Sequence, residues 1–189
     1  MPDFKDVSLE PAATTDAALL SNLLEFYIHD LSEVFPGVEL GADGRFGYPK
    51  LPLYWSEDDR RFPFLIKCNA RVAGFVFATR GSPASEDPGT LDVAEFFVLR
   101  QYRHCGVGRR AAHLLWKRLP GKWTVRVSKG NRGALDFWRH TVVHAAGGTA
   151  TEFERPGMPN DWLVFAFETI AGCGVVADGA PNSRCPPDG

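Results

Sequence analysis

"VLRQYRHCGVGRRAAHLL", Val98 to Leu115, sets two glycines between an apolar run and a row of arginines. Just upstream, "LDVAEFFVL" is almost wholly apolar, the pattern of a central strand buried on both faces. Downstream, Val107, Ala111, Leu114, Leu115 and Leu119 recur at helical spacing, with Arg109, Arg110, Lys117 and Arg118 off that stripe. A helix that starts directly after such a loop has first-turn amides without intrahelical partners, at the positive end of its dipole. Bare backbone and positive charge in one place predict an anion site, with pyrophosphate as the natural guest and Arg103 or Arg109 assisting. The plainer alternative is that Gly106 and Gly108 only make a turn. The coincidence of two glycines, an arginine row and a strand–helix junction favours the ligand.

Working outward, "DVSLEPAATTD" reads as a short strand and turn, with Thr14, Thr15 and Asp16 available to cap a helix. Leu20, Leu23, Leu24, Tyr27, Ile28 and Leu31 then predict a helix over about Ala17 to Glu33. Pro36 to Arg61 is rich in Gly, Pro and aromatics and reads as a long structured loop, a kind that often carries function. "FLIKCN" and "RVAGFVFATR" predict two strands joined by a tight turn near Asn69-Ala70. Past the glycine stretch, "WTVRV" is a strand, "NRGALDFWRHTV" a short helix, and "TATEFERPG" and "DWLVFAFETI" a closing antiparallel pair. This order predicts an α/β fold (α+β mixed): a mixed, mostly antiparallel sheet of about seven strands flanked by helices, with a crossover helix after the central strand. One domain is expected over residues 1–170, followed over 171–189 by a Gly/Pro-rich tail with few core-forming residues.

The chain has 189 residues, 44% hydrophobic and 23% charged, with a net charge of -2. Those are ordinary globular values, and the charge argues against a nucleic-acid partner. No run of eighteen apolar residues is present, so no membrane span is expected. "MPDFKDVSLEPAATTD" has no apolar core of a secretory signal, so a cytoplasmic location is expected. Cys68, Cys105, Cys173 and Cys185 contain no CxxC pair, which predicts reduced thiols, with oxidation in the tail open to Cys173 and Cys185. His104, His113, His140 and His144 lack metal spacing, and no metal is expected.

"GVGRRA" also satisfies G-x-G-x-x-A, the dinucleotide fingerprint, which would make the chain a nucleotide-binding oxidoreductase. Six residues, "RQYRHC", separate Leu99 from Gly106, three strands precede the one that leads into the motif, and "VRVSK" offers no acid where the ribose ligand belongs. The stretch "RHCGVG", Arg103 to Gly108, instead resembles the hallmark of the GNAT superfamily of acetyl-CoA-dependent N-acetyltransferases, Arg/Gln-x-x-Gly-x-Gly/Ala after a strand. "EFFVLRQYR" is similar to that family's V-x-P-x-Y-R lead-in, with Arg100 in place of proline. "NRGALDFWRH" is similar to its N-x-x-A-x-x-F-Y segment, with Trp138 in place of tyrosine. The order of elements agrees from Asp6 to Thr169. "FYIHDLSEV" resembles a bacterial subgroup with Y-x-H-D-x-S-E in the first helix.

The resemblance implies acetyl transfer from acetyl-CoA to a primary amine of a small molecule or peptide, and it leaves room for a homodimer. It implies that backbone groups of Phe97, Val98 and Leu99 bond the pantetheine arm. Amides from His104, Cys105, Gly106, Val107, Gly108 and Arg109 would cradle the pyrophosphate, and Asn131, Phe137 and Trp138 would flank the arm near the sulfur. Direct attack by an amine needs a base. Strict alternation places Glu95 with Val93, Phe97 and Leu99, an apolar setting that raises a carboxyl. Asp92 is the second candidate, since the family's central strand often bulges, and water relayed to either carboxylate is equivalent in sequence. An indole is too weak an acid to serve the leaving thiolate, so either another group such as Tyr102, Tyr27 or His29 serves, or coenzyme A leaves as a thiolate stabilised by a donor. Tyr27, His29, Asp30 and Glu33, at the end of the first helix, would border the acceptor, with Asp30, Glu33 and Glu57-Asp58-Asp59 attracting a cationic amine. The missing tyrosine favours a second reading, a non-catalytic acyl-CoA-binding module.

Overall fold

A computed structural model describes residues 6–145 and 150–170. The expected tail over 171–189, including Cys173 and Cys185, lies outside the described residues. Among the described residues, seven strands make one sheet: β1 (Val7–Pro11), β2 (Arg61–Cys68), β3 (Arg71–Arg80), β4 (Leu91–Val98), β5 (Gly121–Ser128), β6 (Thr151–Arg155) and β7 (Trp162–Thr169). Four α-helices interleave with them: α1 (Ala17–Ser32), α2 (Leu53–Ser56), α3 (Val107–Arg118) and α4 (Arg132–Ala145). The strand order is β1-β2-β3-β4-β5-β7-β6. Within this sheet only β4 and β5 run parallel, because α3 crosses over between them.

The β2–β3 hairpin turns at Asn69 and Ala70, both with positive φ, as the tight turn requires. Asp16 does not cap α1 with its side chain; its carboxylate accepts from the Ala13 N–H at 2.8 Å across a short 3-10 turn. The four-residue α2 falls inside the stretch expected to be loop throughout. It is too short to produce a periodic signal, and it is fixed by Tyr54, which is buried.

Each face of the sheet has its own core. Val107, Ala111, Leu115 and Trp116 of α3 and Trp138 and Val142 of α4 cover one face, over Val76, Val93, Val98 and Val125. Leu20, Leu23 and Leu24 of α1 and Tyr54 of α2 cover the other, over Leu65, Phe75, Phe77 and Phe97.

Two irregularities in β4 shape everything functional. Its register against β3 shifts, with Phe77 opposite Glu95 but Ala78 opposite Val93, so Ala94 is the extra residue of a bulge. The bulge resets alternation. Val93 joins the α3/α4 core while Phe97 stays on the α1 face, and Glu95 does not share a face with Val93 as strict alternation predicted. The second irregularity is the brevity of the β4–β5 ladder, which covers only Leu91 to Val93 against Trp123 to Val125. Beyond Val93, β4 stays on β3 up to Val98, while β5 stays on β7 up to Ser128. The sheet therefore opens into a wedge between the two parallel strands.

Candidate active site

The wedge has a different chemistry on each side. On the α3 side, Gly106 is the N-cap of α3 with φ of 81°, and no side chain caps the helix. That left-handed backbone favours glycine, and the space around Gly106 is open. The first intrahelical bond runs from the Arg110 N–H to the Gly106 carbonyl at 3.1 Å, so the amides of Val107 and Gly108 precede it and point outward. Gly108 has a different reason to be glycine. A Cβ there would meet the Phe137 ring at 3.2 Å and Val98 Cγ2 at 3.6 Å, so its bareness lets α3 close on α4 and β4. His104 also has positive φ, 62°. An uncapped helix start with open space at Gly106, beside an unpaired strand edge, fits a long ligand that ends in phosphates.

The inner edge of β4 is selective. The Leu99 N–H already donates to the Ala73 carbonyl at 2.8 Å, on the β3 side. Alternation then turns the backbone groups of Phe97 toward β3 and those of Phe96 and Val98 toward the wedge. The Val98 carbonyl accepts from Arg103 Nε at 2.7 Å. Arg103 is occupied further: Nη2 meets Asp30 at 2.6 Å, and its guanidinium lies over the Phe97 ring at 5.5 Å. Asn131 caps α4, accepting from the Ala134 N–H at 3.1 Å. Trp138 is a core residue, packed edge-on against Phe96 at 4.9 Å and near Trp116. Cys68 is buried and free.

On the α1 side, Glu95 accepts from Tyr27 Oη at 2.6 Å and from Tyr48 Oη at 2.9 Å. Burial pushes its carboxyl up, against the pull of the two phenols and of Arg126 and Lys50. Burial also drives Tyr27 and Tyr48 well above an ordinary phenol, and Tyr54 up to about 12, with the Glu95 charge adding to all three. Both bonding phenols therefore keep their protons and donate them. Tyr27 is held by ring contacts to Phe75 at 5.7 Å and Phe97 at 5.9 Å.

Across the wedge stands Arg126, the first β5 residue past the last β4 pairing. Trp123, Val125 and Val127 lie in the α3/α4 core, so Arg126 alternates onto the Glu95 side. It is fixed by Asp92, with Nη2 to Oδ2 at 2.8 Å, and lies over the Trp162 ring at 5.9 Å. Asp92 is fully buried and also accepts from Ser82 at 3.1 Å and Thr124 at 2.7 Å. The two candidate bases thus differ: Asp92 is locked into an ion-paired network, and Glu95 is not.

Of the expected acceptor-side acids, Asp30 and Glu57 are paired with arginines, while Glu33, Asp58 and Asp59 are exposed. Asp30 bonds Arg100 and Arg103, each at 2.6 Å. Burial pushes its carboxyl up, and the two guanidiniums outweigh that and hold it below the ordinary range. Glu57 pairs with Arg61 at 2.6 Å, Glu33 is the exposed C-cap of α1, and His29 meets Phe46 edge-on at 6.3 Å. A cavity of about 470 Å³ opens beside them, lined by Phe26, His29, Asp30, Phe97, Leu99 and Arg100 among others. Sequence reasoning missed Tyr48, hidden in a glycine-rich loop, and Arg126, although a lone charge in "WTVRV" was a usable signal. Tyr102, one candidate acid, is buried in the α3/α4 core. Among the described residues no cluster of His, Cys, Asp and Glu could hold a metal ion, and no helix is long and apolar enough to cross a membrane.

The Acetyltransferase (GNAT) family model matches residues 24–141. No curated protein matches the chain. Among solved structures, the chain is similar to an acetyltransferase from Thermus thermophilus, at 18% identity and TM-score 0.59, over 87% of this chain and 98% of that one. It is similar to an aminoglycoside acetyltransferase in complex with coenzyme A, at 14% identity and TM-score 0.64, over 86% and 95%. A third is the ribosomal-protein-S18-alanine N-acetyltransferase from Escherichia coli, at 15% identity and TM-score 0.54, over 90% and 99%. At these identities the likeness is one of fold.

Proposed function

The chain belongs to the acetyltransferase (GNAT) family, and from that premise we propose that it moves the acetyl group of acetyl-CoA to a primary amine of a small molecule or peptide, with Glu95 as the general base. The observation that carries this reading is the wedge between β4 and β5. It has an uncapped, glycine-started helix on one side and a tyrosine-held, largely buried carboxyl on the other. The amides of Val107 and Gly108, with those of the loop before them, would hold the pyrophosphate. The wedge-facing groups of Phe96 and the Val98 N–H would hold the pantetheine arm, the Val98 carbonyl being bonded by Arg103. Acetyl-CoA supplies an activated acyl thioester at the point of the wedge.

Glu95 then takes a proton from the incoming ammonium, directly or through a water, and the free amine attacks the thioester carbonyl; the C–S bond breaks, and coenzyme A leaves as a thiolate that takes up the proton the new amide nitrogen releases. Asp92 is the weaker candidate base because Arg126, Ser82 and Thr124 already use its oxygens. Its role is to hold Arg126. Trp138 lies in the core and is not placed to protonate the leaving thiolate. Of the phenols suggested by sequence, Tyr27 is the one that touches Glu95. Asp30 and Glu57 are already paired with arginines, which leaves the exposed Glu33, Asp58 and Asp59 to attract a cationic amine.

The test is thiol release from acetyl-CoA with a panel of amines, read across pH for wild type and Glu95→Gln. Burial disfavours the carboxylate and raises Glu95, and a base works only when ionised. Turnover should therefore fall as pH drops through a midpoint above the usual carboxylate range. Glu95→Gln should lose about a hundredfold or more in kcat while acetyl-CoA affinity stays within about twofold. Wild-type rates in that variant would remove Glu95 from the mechanism.

A further inference from the structure

Tyr48 reaches Glu95 from a loop with no regular structure between Gly37 and Tyr48, so something must fix that loop. The fixing groups lie four residues apart on one face of α1: Ser21, Glu25 and His29. Arg45 Nη2 donates to Ser21 Oγ at 2.6 Å, and Arg45 Nε donates to Glu25 at 3.2 Å. The backbone N–H of Phe46 donates to Glu25 Oε2 at 2.7 Å, and that of Gly47 to Glu25 Oε1 at 3.3 Å. The Phe46 ring rests on His29. Gly47 then turns the chain with φ of 71°, and the next residue, Tyr48, lies against Phe77 and donates to Glu95.

We propose that Glu25 is a positioning residue for the active site: its carboxylate grips the backbone at Phe46 and Gly47 and so delivers the Tyr48 hydroxyl to Glu95. The proposal rests on Glu95 as the working carboxylate. Glu25 is suited to the task because the Phe46 amide, ahead of Gly47 and Arg45, holds its carboxyl below the ordinary range, so it is charged at neutral pH. A carboxylate that accepts two consecutive backbone amides fixes the path of the chain more tightly than a side chain–side chain contact would. The consequence is directional. Glu25 acts on Glu95 only through Tyr48, so removing either should remove the same bond.

The deciding experiment is a double-mutant cycle on the full chain, read by carbon NMR titration of the Glu95 carboxyl, with its signal identified by its loss in Glu95→Gln. Tyr48→Phe removes a donor to the carboxylate and should raise the Glu95 midpoint by about one pH unit, a tenfold change in proton affinity. In a Glu25→Ala background the same Tyr48→Phe change should move the midpoint by less than about a third of that. An equal shift in both backgrounds overturns the proposal. If Glu25→Ala does not fold, Glu25→Gln keeps an acceptor for one amide and should show a partial loss of coupling; full coupling there would overturn it as well. In turnover, Glu25→Ala should lower kcat/KM for the amine on the order of tenfold, with acetyl-CoA affinity within about twofold. Should Glu95 not be the base, the NMR coupling would persist while the acid limb of the rate profile stayed in place, which separates the two failures.

Discussion

Glu95 and Asp92 are three residues apart on one strand, and their neighbours give them opposite roles. Asp92 is 0% exposed and bonded by Ser82, Thr124 and Arg126, so it behaves as a structural anion. Its dependence on Arg126 is testable. Arg126→Met leaves a fully buried carboxylate with only two hydroxyls and should cost about 3 kcal/mol in urea unfolding. Asp92→Asn in the same chain should return much of that, because the stranded charge is gone. A loss below about 1 kcal/mol in Arg126→Met would mean the hydroxyls alone satisfy Asp92. Glu95 was legible as a carboxylate in an apolar strand, but its neighbours were not. The bulge at Ala94 moved Val93 to the other face, and a bulge leaves no mark in a run as uniform as "LDVAEFFVL". Tyr48 was invisible for another reason: it joins Glu95 across forty-seven residues of sequence, a distance over which periodicity carries no information.

At the level of elements, the strands and the three longer helices followed from periodicity because burial on one or both faces writes itself into the chain. The missing element, α2, is four residues fixed by tertiary contact. What the pattern did not convey is how closely β3 and β4 approach beside the wedge. A Cβ on Gly74 would fall well inside contact distance of the Phe97 carbonyl oxygen, and 3.0 Å from Val98 Cα. Both are backbone atoms, which have no rotamer to yield. Gly74→Ala should therefore cost about 2–3 kcal/mol in chemical denaturation. It should also weaken acetyl-CoA binding, because relief requires β3 and the β4 segment that borders the wedge to move apart. Gly106→Ala makes a useful contrast. Open space surrounds that position, so its cost is the backbone alone, roughly 1–2 kcal/mol for an alanine held at positive φ. Equal costs at the two glycines, or undisturbed binding in Gly74→Ala, would show that β4 can move without consequence.

For the whole molecule, one sheet separates two cores, and the wedge lies between them: α3 and α4 border the side proposed for the cofactor, α1 and its loop the side proposed for the acceptor. The side proposed for acetyl-CoA could be proposed from sequence because its parts are contiguous, from Val98 to Arg109. The acceptor side could not, since it is assembled from α1, the loop to Tyr48, β4, β5 and Trp162, which approach only in the folded chain. A ligand lying in the wedge would bridge halves that share few backbone bonds between β4 and β5, so it should stabilise the fold as a unit. At a hundred times its dissociation constant, acetyl-CoA should add about 2.7 kcal/mol. For a chain of this size that is roughly 5–10 °C in Tm. NAD(H) and NADP(H) should leave Tm unchanged, because seven residues separate the end of β4 from Gly106 and no acid waits for a ribose. Gly108→Trp should abolish the acetyl-CoA shift by a route the geometry specifies. The indole would be driven into Phe137 and Val98, prying the start of α3 away from the strand edge that holds the arm. A full shift in that variant would place the phosphates elsewhere, and a shift with dinucleotides of equal size would reopen the reading of "GVGRRA" as their fingerprint.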